Sequence, residues 1–446
     1  MLNSLRNRLT SGDVVSWCRG AWFLLAFLQP FNQFGGLRWL TLTVLTVTLA
    51  ILAVRKIRLS GGWYPTTWSV RIGWLLVGWI ALASLIGPYP AESLGAMRQS
   101  LLVQVMMFAA GLVLVRSVED AWGLVLASVF GFALLNILSM GDLIALMSAR
   151  GLGDRSYSHN SWLGSYGGKG GYYLPLLLGW LITRAHGRWL QIGGTISLVA
   201  SILLVALYGS RSPLIVGSVG VVALIFFLYG YRSFIFGAMV TMVLLGTILF
   251  SPLGKVFHYD SLLTPVTYAT NQGLSQRLSI WDGMWQVIQV RPLIGYGYGW
   301  KKLAWVINEQ GFVERWQSRD DLASYFFNGK SKASYGRVNP HNYFLQVWFE
   351  IGAVGLLLVL AFWALVLKEC SALLRRETPG PTRALAATSF AVLVAYLFVN
   401  LTNGHWVGGL ANLSLSLAAA MMALSRLPRR ETVVAQAVDS ELPANR

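Results

Sequence analysis

The chain has 446 residues, 55% of them hydrophobic and 12% charged, with a formal net charge of +17 at pH 7. Soluble domains carry roughly a quarter of their residues as charges, so this composition excludes a water-soluble globular protein. Repeated apolar runs of about 18 residues or more can cross a ~30 Å hydrocarbon core, and the short alternating segments of an outer-membrane barrel are absent.

The expected fold class is therefore an all-α polytopic membrane protein of about twelve transmembrane helices. The apolar runs lie near residues 18–34, 38–54, 70–88, 99–116, 121–140, 171–186, 190–209, 213–229, 234–251, 343–367, 386–402 and 409–425. No cleavable signal pattern precedes the first run, which is expected to remain as an anchor. With the N-terminus inside, the even gaps collect Arg55, Lys56, Arg58 and Arg71, then Arg184 and Arg188, then Arg232, then Lys368, Arg375, Arg376 and Arg383. Arg426, Arg429 and Arg430 follow the last run. The short-loop excess of Lys and Arg on one side predicts that side to be cytoplasmic, with both termini there and residues 426–446 as a polar tail. Cys18 and Cys370 fall on that same side, so no disulfide framework is expected.

Two segments on the other side are long. Residues 141–170 are rich in Gly and Ser and carry Arg150, Arg155, His159 and Lys169. Residues 252–342 form a large loop between the ninth and tenth runs. Within it Ser275–Val290 reads as an amphipathic helix whose Leu278, Trp281, Trp285 and Ile288 recur at three- and four-residue spacing, a stripe able to lie on the bundle or in the membrane interface. The glycines of Gly295–Gly299 have no strand before them, so they read as a turn and not as a nucleotide-binding loop.

The large loop is basic beyond what orientation requires, with Arg277, Arg291, Lys301, Lys302, Arg315, Arg319 and Arg337 among its cations. Most of these are read as solvating charges or partners of Glu309, Glu314, Asp320 and Asp321. The remainder suit an anionic partner such as a phosphate-bearing lipid. Arg211 sits between two apolar runs with almost no loop, so it either snorkels or faces a fixed anion. Arg277 opens the amphipathic helix, where the macrodipole disfavours a cation.

His341 follows Pro340 at the lip of the tenth run, and is expected to begin that helix. An imidazole there, with an ordinary pKa near ~6.5, can take up a proton at neutral pH. Asn342 could orient the ring or bond a sugar hydroxyl. Glu350 lies about half a turn out of phase with His341 and reads as a hydrogen-bonded packing residue. Arg98, Arg155, Lys169 and Arg337 are candidates for substrate binding on charge alone. No cluster of histidines, cysteines or acids has metal-ligand spacing, so neither a metal nor another cofactor is expected.

Three stretches together carry a resemblance: "SRSPLIVG" from Ser210, "SQRLSIWDGMWQVIQVRPLIGYGYG" from Ser275, and "PHNYFLQVWFEIGAVGLL" from Pro340. They resemble the bacterial O-antigen ligase family, a lipid-linked membrane glycosyltransferase type related to O-antigen polymerases and protein O-oligosaccharyltransferases. The resemblance implies an enzyme of lipopolysaccharide assembly. It would transfer a glycan from undecaprenyl diphosphate to a sugar hydroxyl of lipid A–core, at the periplasmic face of the bacterial inner membrane, by metal-independent inverting displacement. By motif it implies catalytic roles for Arg211, Arg277 and His341. A polymerase or protein glycosyltransferase remains an alternative acceptor choice. A lipid-linked glycan flippase or transporter is the alternative from another class, and would place more ionisable groups along the spans.

Overall fold

A computed structural model of the protein describes residues 11–54, 67–150, 161–183, 187–208, 211–252, 277–327, 332–377, 379–404, 406 and 408–426. Among these residues the regular elements are helical and no strand occurs. In chain order they are α1 (Ser11–Leu28), α2 (Gly35–Val54), α3 (Trp68–Ile86), α4 (Pro90–Leu114), α5 (Val118–Arg150), α6 (Trp162–Tyr166), α7 (Lys169–Thr183), α8 (Arg188–Leu207), α9 (Arg211–Tyr229) and α10 (Tyr231–Phe250). The segment after α10 contributes α11 (Arg277–Val290), α12 (Leu303–Glu309), α13 (Phe312–Trp316) and α14 (Asp320–Phe326). The chain returns to long helices with α15 (Tyr343–Arg376), α16 (Pro381–Val399) and α17 (Gly409–Leu424).

A helix lies over each predicted apolar run, and eight helices are long and apolar enough to cross a membrane: α2, α3, α4, α5, α8, α9, α15 and α16. Boundaries moved where local chemistry overrode hydropathy. The first helix starts at Ser11, with Asp13 in its first turn, and stops ahead of Pro30, which disfavours helix at the residue before it. The fifth continues to Arg150 as a 33-residue helix, so the expected loop at 141–170 begins ten residues later than the hydropathy suggested. Arg155 and His159 lie outside the described residues, as does the tail beyond Arg426.

Small residues decide the centre of the bundle. α16 is the most buried candidate span, at 67%, and packs against α7, α9, α15 and α17. Its Ala384, Ala386, Ala387, Ala391 and Ala395 are buried, which lets neighbouring backbones approach closely without a hydrophobic driving force. α17 meets α4 in the same way: a Cβ on Gly111 would stand 2.7 Å from that of Ala419.

The segment from α11 to α14 has a second core of its own. Ile280, Met284, Val287, Val306, Ile307, Phe312, Trp316, Leu322 and Phe326 pack together, with Phe349 of α15 joining them. α11 is amphipathic, but its buried face keeps only Ile288 and part of Trp281 from the predicted stripe. Ile280, Gly283, Met284, Val287 and Ile288 face the core, whereas Leu278 and Trp285 are exposed at 47% and 42%. The helix has apolar residues on more than half its circumference, and hydrophobic spacing alone could not tell which arc the small core would claim. Arg319 meets Asp321 at 2.9 Å and Asp282 at 3.1 Å, so part of the loop's basic excess is consumed in tying α14 to α11.

The glycines at 295–299 are a turn with a specific purpose. α15 breaks at Gly352, whose φ of 69° is left-handed. The break frees backbone groups inside a long helix, and such groups must find partners. The preceding turn supplies them. Tyr296 N–H donates to Phe349 O at 2.9 Å and Gly297 N–H to Glu350 O at 2.7 Å, while Ala353 N–H donates to Pro292 O at 2.8 Å. Gly295, Gly297 and Gly299 all have positive φ, which lets the turn run close along the helix. The segment is thereby stitched to α15 ten residues beyond its start.

Candidate active site

The 339–343 segment departs from the predicted geometry in a useful way. His341 does not begin the helix. It precedes the cap and has φ 49°, the one non-glycine with positive φ among the described residues. Its N–H donates to Asn339 Oδ1 at 2.8 Å, a local turn that helps hold this conformation. A left-handed histidine costs on the order of 1–3 kcal/mol, a cost that persists where surrounding structure over-determines it. Asn342 is the N-cap: its Oδ1 accepts from Phe344 N at 2.9 Å and Leu345 N at 3.0 Å. Its Nδ2 donates to Leu401 O at 3.1 Å. Both ends of the amide thus have a partner inside the chain, and Asn342 fixes the start of α15.

The partner of this segment is the connection between α16 and α17, which the sequence reading passed over. Tyr343 N–H donates to Asn400 O at 2.9 Å. Arg277, the first residue of α11, donates through Nε to Thr402 O at 3.0 Å. Asn403 Nδ2 donates to Ser212 Oγ at 3.1 Å, which brings the start of α9 to the same place. A Cβ on Gly404 would lie 3.4 Å from Asn339 Oδ1 and 2.2 Å from Gln346 Oε1. Residues 400–404 therefore gather the starts of three helices, and with them the positions of Arg211, Arg277 and His341. The Arg211 side chain itself lies outside the described residues. A polar Thr-Asn-Gly cluster between two apolar runs was the signal available in the sequence.

Tyr325 packs beside the histidine. Its ring meets that of His341 edge-on at 6.1 Å between centroids, and its hydroxyl donates to Asn339 O at 2.6 Å. The imidazole is half-buried. Burial, and after it the nearby Arg277 guanidinium, together lower its pKa to about 4. Both effects oppose the charged ring, so His341 is neutral at physiological pH, with an acceptor nitrogen beside a fixed cation. This arrangement can take a proton from a hydroxyl while holding an anion nearby.

Glu350 is fully buried and accepts from Gln346 Nε2 and from Gly299 N–H, both at 2.7 Å, in keeping with a packing role. Behind it sits a buried cation. Lys302 Nζ donates to Ser93 Oγ at 2.6 Å and Tyr298 O at 2.8 Å. Burial lowers its pKa to about 8, against the pull of Glu350 and Glu92. Lys302 thus fastens the loop to α4.

Three of the charge-based candidates have surroundings of their own in the structure. Lys169 donates to Pro30 O at 2.6 Å and Asn32 Oδ1 at 2.8 Å, bracing the turn between α1 and α2. Arg98 is exposed on a π-helical turn of α4 and shares a recess with Trp39 and Gln99. Arg337 is exposed on the turn before Asn339. No group of three or more potential metal ligands occurs among the described residues.

The region that supplies this geometry, from α8 into α15, is also the region that matches known sequences. Residues 196–360 match the family model described as O-antigen ligase. Residues 196–360 carry an O-antigen ligase domain. A relative in Rickettsia prowazekii (strain Madrid E), provisionally described as a polysaccharide ligase, is 28% identical over 180 residues. That match covers 40% of this chain and 40% of the relative, so it spans less than half of either protein. The O-antigen ligase domain includes α9, α11 and the first half of α15, which are the three helices whose starts meet at residues 400–404. The connection itself lies beyond the domain's matched limits.

Proposed function

We propose that the protein is a membrane glycosyltransferase that moves a glycan from a lipid-diphosphate carrier to a sugar hydroxyl. In this reading it is an O-antigen ligase, with undecaprenyl diphosphate as carrier and lipid A–core as acceptor. The observation that carries the reading is the neutral, half-buried His341 held in a left-handed turn beside Arg277, inside a matched O-antigen ligase domain. His341 accepts the proton of the acceptor hydroxyl as that oxygen attacks the anomeric carbon. Arg277 and Arg211 stabilise the negative charge that collects on the departing diphosphate. One displacement inverts the anomeric centre. Asn342 is a positioning residue, holding α15 so that the preceding histidine faces the reacting groups.

Arginine is specified at 277 by the bond to Thr402 O. A guanidinium can hold that carbonyl through Nε and still direct Nη donors elsewhere, whereas an ammonium has one nitrogen for both tasks. Arg277→Lys is expected to lose about tenfold or more of its transfer rate despite keeping its charge. The check is initial-rate transfer by protein that elutes as wild type does on gel filtration. Full activity would reduce Arg277 to a structural tie.

The proposed orientation places residues 252–342 in the periplasm, with both termini in the cytoplasm of a bacterial inner-membrane protein. Ser318 is exposed between α13 and α14, and Cys18 and Cys370 are buried. Ser318→Cys is therefore expected to react with an impermeant maleimide on intact spheroplasts, over a low background. Labelling that requires lysis would invert the topology.

A further inference from the structure

A separate cleft of about 700 Å³ opens between α1, α2, α4, the start of α17 and the Trp300–Lys302 turn. The volume falls within the ~300–1,000 Å³ of small-molecule sites. Its lining does not include His341, Arg277 or Asn342. One wall carries aromatic rings: Trp39 is 44% exposed, Tyr335 is 47% exposed and stacks on Trp305 at 4.6 Å, and Trp300 is half-buried. The lining is also polar, with Gln99 and Glu92 from α4 and Asn412 from α17.

Three features point to what it holds. Asn412 is 7% exposed and lines the cleft, and its Oδ1 has no partner among the described residues, although its Nδ2 donates to Gln29 Oε1 at 2.9 Å. A buried carbonyl oxygen without a donor costs on the order of 1–3 kcal/mol. Next to it Gly408 and Gly409 open the 16-residue α17 with no side-chain cap, so its first N–H groups favour an anion. The charge agrees: Arg38 and Lys301 line the cleft, and the adjoining recess, which shares Trp39 and Gln99, adds Arg98. Glu92 is the acid on that lining. The lining also includes the apolar Leu25, Leu42 and Val103.

Amides, flat aromatic faces, a cationic excess and apolar residues in one lining describe a site for an anionic sugar carried on a lipid. We infer that this cleft is the acceptor site: it binds the phosphate-bearing oligosaccharide of a lipid-anchored acceptor. The inference rests on the transfer reading above for the word acceptor alone. The α16–α17 connection links the two places. Its residues 400–404 meet the helix starts around His341, while residues 408–409 and Asn412 line the cleft. A diphosphate held at Arg277 and a glycan held in the cleft would thus lie on either side of one short segment.

The test uses the full-length protein in nanodiscs. Delipidated acceptor oligosaccharide, with and without its phosphates, is titrated calorimetrically against wild type, Trp39→Ala, Lys301→Ala and Asn412→Leu. Trp39 and Lys301 are exposed, so two of the three changes spare the core. The expected result is binding by wild type, at least tenfold weaker binding in each variant, and at least tenfold weaker binding of the dephosphorylated sugar. In transfer assays the same variants raise KM for the acceptor and leave KM for the lipid-diphosphate donor unchanged. Unaltered oligosaccharide binding in Trp39→Ala and Lys301→Ala overturns the proposal, as does a rise confined to the donor's KM. Intact, variant-sensitive binding by a wild type that transfers nothing leaves the cleft a sugar site and removes the transfer reading instead.

Discussion

His341→Ala is expected to transfer glycan about 10²–10⁴-fold more slowly than wild type at saturating donor and acceptor, the range lost with a general base. The same variant inserts and folds normally. The half-buried ring packs edge-on against Tyr325 and forms no part of either core, so its removal forfeits little apolar contact. Single-turnover transfer by gel-filtered protein is the measurement, and equal rates would remove His341 from the mechanism. The pH dependence follows from the site's electrostatics. Burial and then Arg277 lower the imidazole to about 4, so the free enzyme holds a competent base down to acid pH. Its kcat/KM for donor falls as pH drops through about 4, well below the ordinary histidine value that the sequence suggested. Donor binding brings diphosphate to Arg277, cancels its repulsion and adds negative charge, so the pKa rises in the complex. The acid limb of kcat therefore lies at higher pH than the acid limb of kcat/KM.

Gly352→Ala uncouples the loop from the bundle. At φ 69° an alanine costs roughly 1–3 kcal/mol in backbone strain, and its Cβ would stand 2.1 Å from Leu293 O. Backbone cannot yield there as a side-chain tip could, because Pro292, Tyr296 and Gly297 are bonded to the same stretch of α15. A total of about 3 kcal/mol or more is expected, read as a thermal inactivation midpoint several degrees lower in detergent. Transfer is lost together with stability, since α11 carries Arg277 and hangs from this joint. Gly78→Ala is the control: nothing lies within 4 Å of its added Cβ, and alanine favours a helix by up to ~1 kcal/mol over glycine. Matching midpoints in the two variants would refute the joint.

The joint also explains why a loop with its own small core can act as part of a site in the bundle. Its core makes the segment rigid, the turn at 292–297 fixes it to α15, and Lys302 fixes it to Ser93 of α4. Arg277 then reaches Thr402 O from a helix held at its far end. Catalytic groups supported on rigid elements keep the sub-ångström precision that loops do not.

The sequence by itself determined the helical class, because apolar run length answers directly to the thickness of a bilayer. It also singled out the stretches proposed to carry chemistry, through a histidine at the lip of an apolar run, an arginine opening an amphipathic helix and the motifs that carry the family resemblance. The turn at Gly295–Gly299 and the packing role of Glu350 were legible for similar reasons, from missing strand context and helical phase. Tertiary structure alone decided the rest. Which arc of α11 is buried depended on a core assembled from residues up to seventy positions away, such as Phe349. Asn342 became a cap because Leu401 O and two helix N–H groups stood within reach. Lys169 became a brace on the turn between α1 and α2 because Pro30 O and Asn32 Oδ1 stood within its reach, which charge along a sequence does not show. The Asn400–Gly404 connection, which gathers three helix starts, carries no charge and little motif. Its role arises from hydrogen bonds that exist only once the helices have packed.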